Sequence, residues 1–167
     1  MRLDSRLSRM LHVLLHMARH EGTATSEAIS AMLHTNPVVV RRTMAGLREA
    51  GYVRSEKGHG GGWTLVRDLE SITMRDIYVA LGKPSIFAIG LASDRPTCLI
   101  EQAVNRALES SFREAEELLV ARFGEITLAE LASDVDQKQV AAWSERFACS
   151  DPFAKASPLQ AQPVAPA

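Results

Sequence analysis

Arg41 and Arg42 stand side by side shortly after Asn36-Pro37, and a guanidinium can bond guanine O6 and N7 in parallel or grip a phosphate. The other reading of the pair is two solvated surface arginines. Asn36 and the free amides that follow it can hold a phosphate, although Asn36 serves equally as a plain helix cap. A second cationic group, Arg54, Lys57 and His59, surrounds Gly58, Gly60, Gly61 and Gly62. This run is not a nucleotide-binding P-loop, because no Gly-Lys-Ser/Thr follows and the next element reads as a strand. Tyr52 and Trp63 read as core supports rather than base-stacking platforms. His12, His16 and His20 share one helical face at four-residue steps, which could bind zinc or nickel, but no carboxylate or cysteine completes the set nearby; no metal is expected. Cys98 lies near a helix start, where free amides favour a thiolate, and is a candidate redox sensor; a small inert hydrophobe is the plainer reading. No nucleophile elbow or paired carboxylates point to an enzyme.

The elements that position these groups follow from spacing. Leu7, Leu11, Leu14 and Ala18 predict an amphipathic helix over residues 4–20, ended by Gly22. Thr25-Ser26-Glu27 opens a short second helix with Ile29, Met32 and Leu33 inward. Asn36 caps a third, with Pro37 in its first position, where the missing amide hydrogen is harmless. Val40, Met44 and Leu47 form its buried side, so Val38, Arg41, Arg42 and Ala45 face out, as a recognition helix requires. Residues 52–56 and 63–67 then read as two strands of a glycine-rich hairpin, the wing of a winged helix-turn-helix. Arg54, Lys57, His59 and Gly60 are its candidate contacts with DNA, the tip entering the minor groove.

Thr73 and Asp76 predict a capped fourth helix through Ile77, Tyr78 and Leu81. Residues 84–96 form an apolar loop in which Ile86, Phe87, Ile89 and Leu91 are expected to pack. A long helix runs from about Pro96 to Phe123 with an apolar stripe that could serve a partner subunit, and Gly124 is expected to break it. Thr127 and Glu130 open a further helix. The expected class is mostly α with a small β-hairpin wing. Residues 1–82 form a winged helix-turn-helix domain, 83–149 a linker, long dimerisation helix and C-terminal helix, and 150–167 a disordered tail rich in Pro, Ala, Gln and Ser.

Charge agrees with this division. Residues 1–67 hold ten Lys/Arg against five Asp/Glu, whereas 68–167 hold nine against fifteen, within a net charge of −1. The basic part can follow phosphates, and a dimer would double it. A protein-interaction module that uses a winged fold without reading DNA is the alternative, but it has no reason to concentrate positive charge there. Two cysteines, Cys98 and Cys149, no signal-peptide core and no membrane-length apolar run lead to a cytoplasmic expectation.

The run Leu47 to Leu65, followed by Ile72-Thr-Met-Arg-Asp-Ile77, closely resembles the Rrf2 family of bacterial transcriptional regulators, over roughly residues 1–133. The resemblance implies a homodimer joined by the long helix, probing double-stranded DNA at a palindromic operator, with a repressor's role. It also places Arg41 where the family reads bases and leaves Arg42 a phosphate contact. Iron-sulfur members carry three closely spaced cysteines in and before the long helix. Only Cys98 lies in that region here, so an iron-sulfur cluster is not expected. The segment Asn36 to Arg42 resembles the cluster-free, YwnA-like branch.

Overall fold

The computed structural model describes residues 4–20, 22–58, 61–91, 93 and 96–134. His59, Gly60, Cys149 and the tail at 150–167 lie outside the described residues. Helix α1 spans Arg6–Arg19, α2 Ser26–Met32 and α3 Pro37–Glu49; strands β1 (Val53–Glu56) and β2 (Gly62–Leu65) follow. After a single 3-10 turn at Leu69–Ser71 come α4 (Met74–Ala80), α5 (Leu99–Glu125) and α6 (Leu128–Ser133). The architecture is a helix-turn-helix with a two-stranded antiparallel wing, from which one long helix departs and a short one returns.

Local chemistry starts each helix. Thr25 Oγ1 accepts the Ala28 amide at α2, and Asn36 Oδ1 accepts the Val38 amide at α3, with Pro37 at the first position. Thr73 with Asp76 and Thr127 with Glu130 each close a reciprocal capping box. Gly51 turns the chain out of α3 with φ +78°, a left-handed conformation that glycine adopts without penalty.

In α3, Val40, Met44 and Leu47 are at most 1% exposed, and burying each such side chain stabilises the fold by about 1.5–3 kcal/mol. They pack with Met10, Val13, Leu14, Met17, Ile29 and Trp63 in one core. The stripe of α1 differs from the expected one. Met10, Val13 and Met17 join Leu11 and Leu14, whereas Ala18 is exposed and Leu7 only partly buried. Helices α4 and α6 and strand β2 all pack against α1, so its buried face is wider than a leucine stripe.

The wing is pinned to the helices. Trp63 exchanges two backbone hydrogen bonds of 2.9 Å with Ala24, and its indole N–H donates to Ser26 Oγ at 3.0 Å. Gly62 is required by this approach, since a Cβ there would stand 2.8 Å from the Ala24 carbonyl oxygen. Gly61 is equally confined by the Glu56 carbonyl.

The C-terminal elements return to this core. Met74 N–H donates to Ile126 O and Leu128 N–H to Ile72 O, which seats Leu128, fully buried, beneath the 3-10 turn. Gly124 does not break the long helix: α5 continues to Glu125, and the Arg75 guanidinium fills the place where a side chain at 124 would lie, 2.8 Å from its Cβ. Close approach, not termination, accounts for this glycine. In the 84–96 loop, Phe87 stacks on Phe112 with centroids 5.8 Å apart, but Ile89 is 68% exposed, contrary to expectation.

Candidate nucleic-acid interface

The outer face of α3 follows from its inner one. With Val40, Met44 and Leu47 locked into the core, Val38, Arg41 and Arg42 must point away from it, and all three are exposed. Asn36 sits at the helix start with its side chain committed to the Val38 amide, which orders the first turn. Val38 is 64% exposed, an apolar side chain in a position that packing does not explain.

Between this face, the first turn of α2 and the hairpin lies an open cleft of about 490 Å³. Arg41, Arg48 and Lys57 line it, together with Glu27 and Glu56. Arg41 donates from Nη2 to Glu27 Oε1 at 2.5 Å across the two helices. Arg42, Arg48 and Lys57 have no ion-pair partner among the described residues. Arg54 does not line the cleft; it pairs with Glu56 at 2.9 Å on the hairpin's exposed side.

The structure thus brings together Arg41 and Lys57 from the expected set, with Asn36, Val38 and Arg42 along the same helix. It adds three residues that sequence reasoning missed. Arg48 lies two turns after Arg41, so helical periodicity could have found it. Ser55 alternates inward from Arg54 along β1. Glu27 gave no such signal, because its link to Arg41 depends on the angle between α2 and α3.

Cys98 is remote from the cleft in the chain and caps α5. Its sulfur faces the free amides of Glu101 and Ile100, which hold the thiol below its ordinary pKa, although no side-chain hydrogen bond of good geometry closes there. His12 and His16 pack edge to face at 4.7 Å, and His16 stacks on His20 at 6.5 Å. Among the described residues no group of three His, Cys, Asp or Glu side chains is arranged to hold a metal ion. Among the described residues Cys98 supplies one exposed thiol, and with two cysteines in the whole sequence one chain cannot supply the three thiolates of the cluster-binding pattern. No helix among the described residues is long and apolar enough to cross a membrane.

Comparisons with known proteins bear on the family and the fold. The family model Rrf2, described as an iron-dependent transcriptional regulator, matches residues 3–134. YwnA of Bacillus subtilis (strain 168), whose name describes an inferred HTH-type transcriptional regulator, is 31% identical over 115 residues, covering 68% of this chain and 84% of that protein. A crystal structure of an inferred transcriptional regulator from Lactobacillus plantarum superposes with a TM-score of 0.68 at 23% identity, covering 87% of this chain and 99% of the other. CymR, the global cysteine regulator of B. subtilis, superposes at 0.54 with 22% identity, covering 81% and 99%. At those identities the structural likeness establishes the fold.

Proposed function

This chain belongs to the Rrf2 family of DNA-binding transcriptional regulators, and from that premise we propose that it is a homodimeric, cluster-free repressor of a palindromic operator, acting in the cytoplasm. The observation that carries the reading is the exposed Arg41-Arg42 face on a capped, core-anchored α3 beside the wing. In this reading α3 enters the major groove, where Arg41 bonds a guanine edge and Arg42 a phosphate. Arg48 and Lys57 extend the cationic surface toward the backbone, and the hairpin meets the neighbouring minor groove.

Two copies are supported by α5. Leu99, Ile100 and Leu118 are each at least 75% exposed, a pattern that suits a second helix of the same kind. A twofold pair places two reading helices about one turn of DNA apart, ~34 Å. Occupancy of such a site by the dimer blocks transcription, which is the repressor's role.

The test is duplex binding by the full chain, with the operator obtained by selection from a random pool. Arg41→Ala with Arg42→Ala should lower operator affinity at least about a hundredfold and flatten its salt dependence. Unchanged affinity in the double variant would remove α3 from the interface.

A further inference from the structure

The carboxylate of Glu27 stands where neither folding nor the attraction of DNA calls for it. Glu27 and Arg41 have side chains 64% and 56% exposed, and an ion pair so solvated contributes little to folding. An acid in the first turn of α2 suits the helix N-terminus, but that effect is satisfied by carboxylates that point elsewhere. Glu27 instead lines the cleft with Arg41, Arg48 and Lys57. On a surface that meets phosphates, its charge opposes the DNA backbone whatever the sequence.

What offsets that repulsion is the state of Arg41. Oε1 accepts one N–H from Nη2, and Arg41 makes no other hydrogen bond among the described residues, so the remaining guanidinium N–H groups stay open to a base edge. The side chain is held from a second helix before DNA arrives, which removes part of the ordering that binding otherwise requires. Arg42, one residue on, has no such restraint, and a mobile cation suits a phosphate that any sequence offers.

We propose that Glu27 is a specificity-determining residue: it positions Arg41 for base reading and simultaneously weakens sequence-independent binding to the backbone. The inference rests on the DNA-binding reading of this cleft. It separates specific from random affinity by one contact that acts on both, a repulsive element combined with an attractive one.

Two variants of the full chain separate the two effects, each measured against the selected operator and a random duplex of equal length. Glu27→Gln removes the charge, so random-duplex affinity should rise about threefold while operator affinity falls about twofold, the loss of positioning outweighing the relief of repulsion. Glu27→Asp keeps the charge but is shorter by one methylene, so random affinity should hold while operator affinity falls. In an Arg41→Ala background, Glu27→Gln should no longer lower operator affinity, a dependence that a merely structural role would not produce. Equal changes against both duplexes, or none, would overturn the inference while leaving DNA binding intact. Failure of the unsubstituted chain to prefer any duplex would instead sink the reading of the cleft itself, and this inference with it.

Discussion

Helices α3 and α5 carry similar apolar repeats and use them in opposite ways. In α3, Val40, Met44 and Leu47 vanish into the core, and the cations are left outside by elimination. In α5, 27 residues long, Asn105 is the one buried residue, while Ile100, Val104 and Leu118 are 76%, 51% and 75% exposed. Partial contacts hold α5 to the rest: Tyr78 O–H donates to Glu116 at 3.1 Å and its ring meets Phe123 at 6.0 Å. A three-to-four repeat therefore shows that a helix has a partner surface, not which molecule supplies it. For α3 the partner is this chain; for α5 the exposed side is what the proposed dimer uses.

The largest expected effect comes from denying α5 that partner. Ile100→Glu with Leu118→Glu should halve the mass measured by sedimentation and lower operator affinity at least about a hundredfold, because one reading helix then replaces two. A double variant that sediments as the unsubstituted chain does would show that another face joins the copies, or none. Next in size is the contrast within the core. Leu47→Ala should destabilise the fold by about 2–5 kcal/mol, whereas Val104→Ala on the exposed side of α5, in the Ile100→Glu, Leu118→Glu background, should change it by less than about 0.5 kcal/mol. Chemical denaturation reads both, and equal losses would mean that α5 is buried against its own chain.

What was legible in the sequence divides along the same line. Thr73 with Asp76, Thr127 with Glu130, and Asn36 with Pro37 act within four residues, so their meaning survives without knowledge of the fold. The inward stripe of α3, and hence the outward Arg41 and Arg42, was equally plain from periodicity. Gly124, Ala18 and Ile89 were misread because their roles depend on what packs against them: an arginine from α4, a wider core face and an open loop surface. Glu27 belongs with these. Its pairing to Arg41 joins residues fourteen apart through a crossing angle that no local pattern encodes.

The smallest effects compare the two helix starts. At α3 the Asn36 side chain accepts the Val38 amide at 2.8 Å, so Asn36→Ala should cost about 1 kcal/mol in denaturation and loosen the first turn of the reading helix. At α5 the cap residue is Cys98, which closes no such bond, so Cys98→Ala should cost much less. An equal loss at both positions would show that the thiol caps as an amide oxygen does.

Titration of Cys98 carries that contrast furthest. The amides of Glu101 and Ile100 favour its thiolate, so the folded pKa lies below that of the unfolded chain. Any stability this contributes is present above the unfolded thiol's pKa and is lost as the pH falls through the folded value. Solvent exposure keeps the contribution small, and reaction rate reports it better than unfolding. In a Cys149→Ser background, the alkylation rate of Cys98 should rise with pH around a midpoint lower in the folded chain than in denaturant. Coincident midpoints would mean that the helix start leaves the sulfur untouched, and that α5, unlike α3, begins without help from its cap.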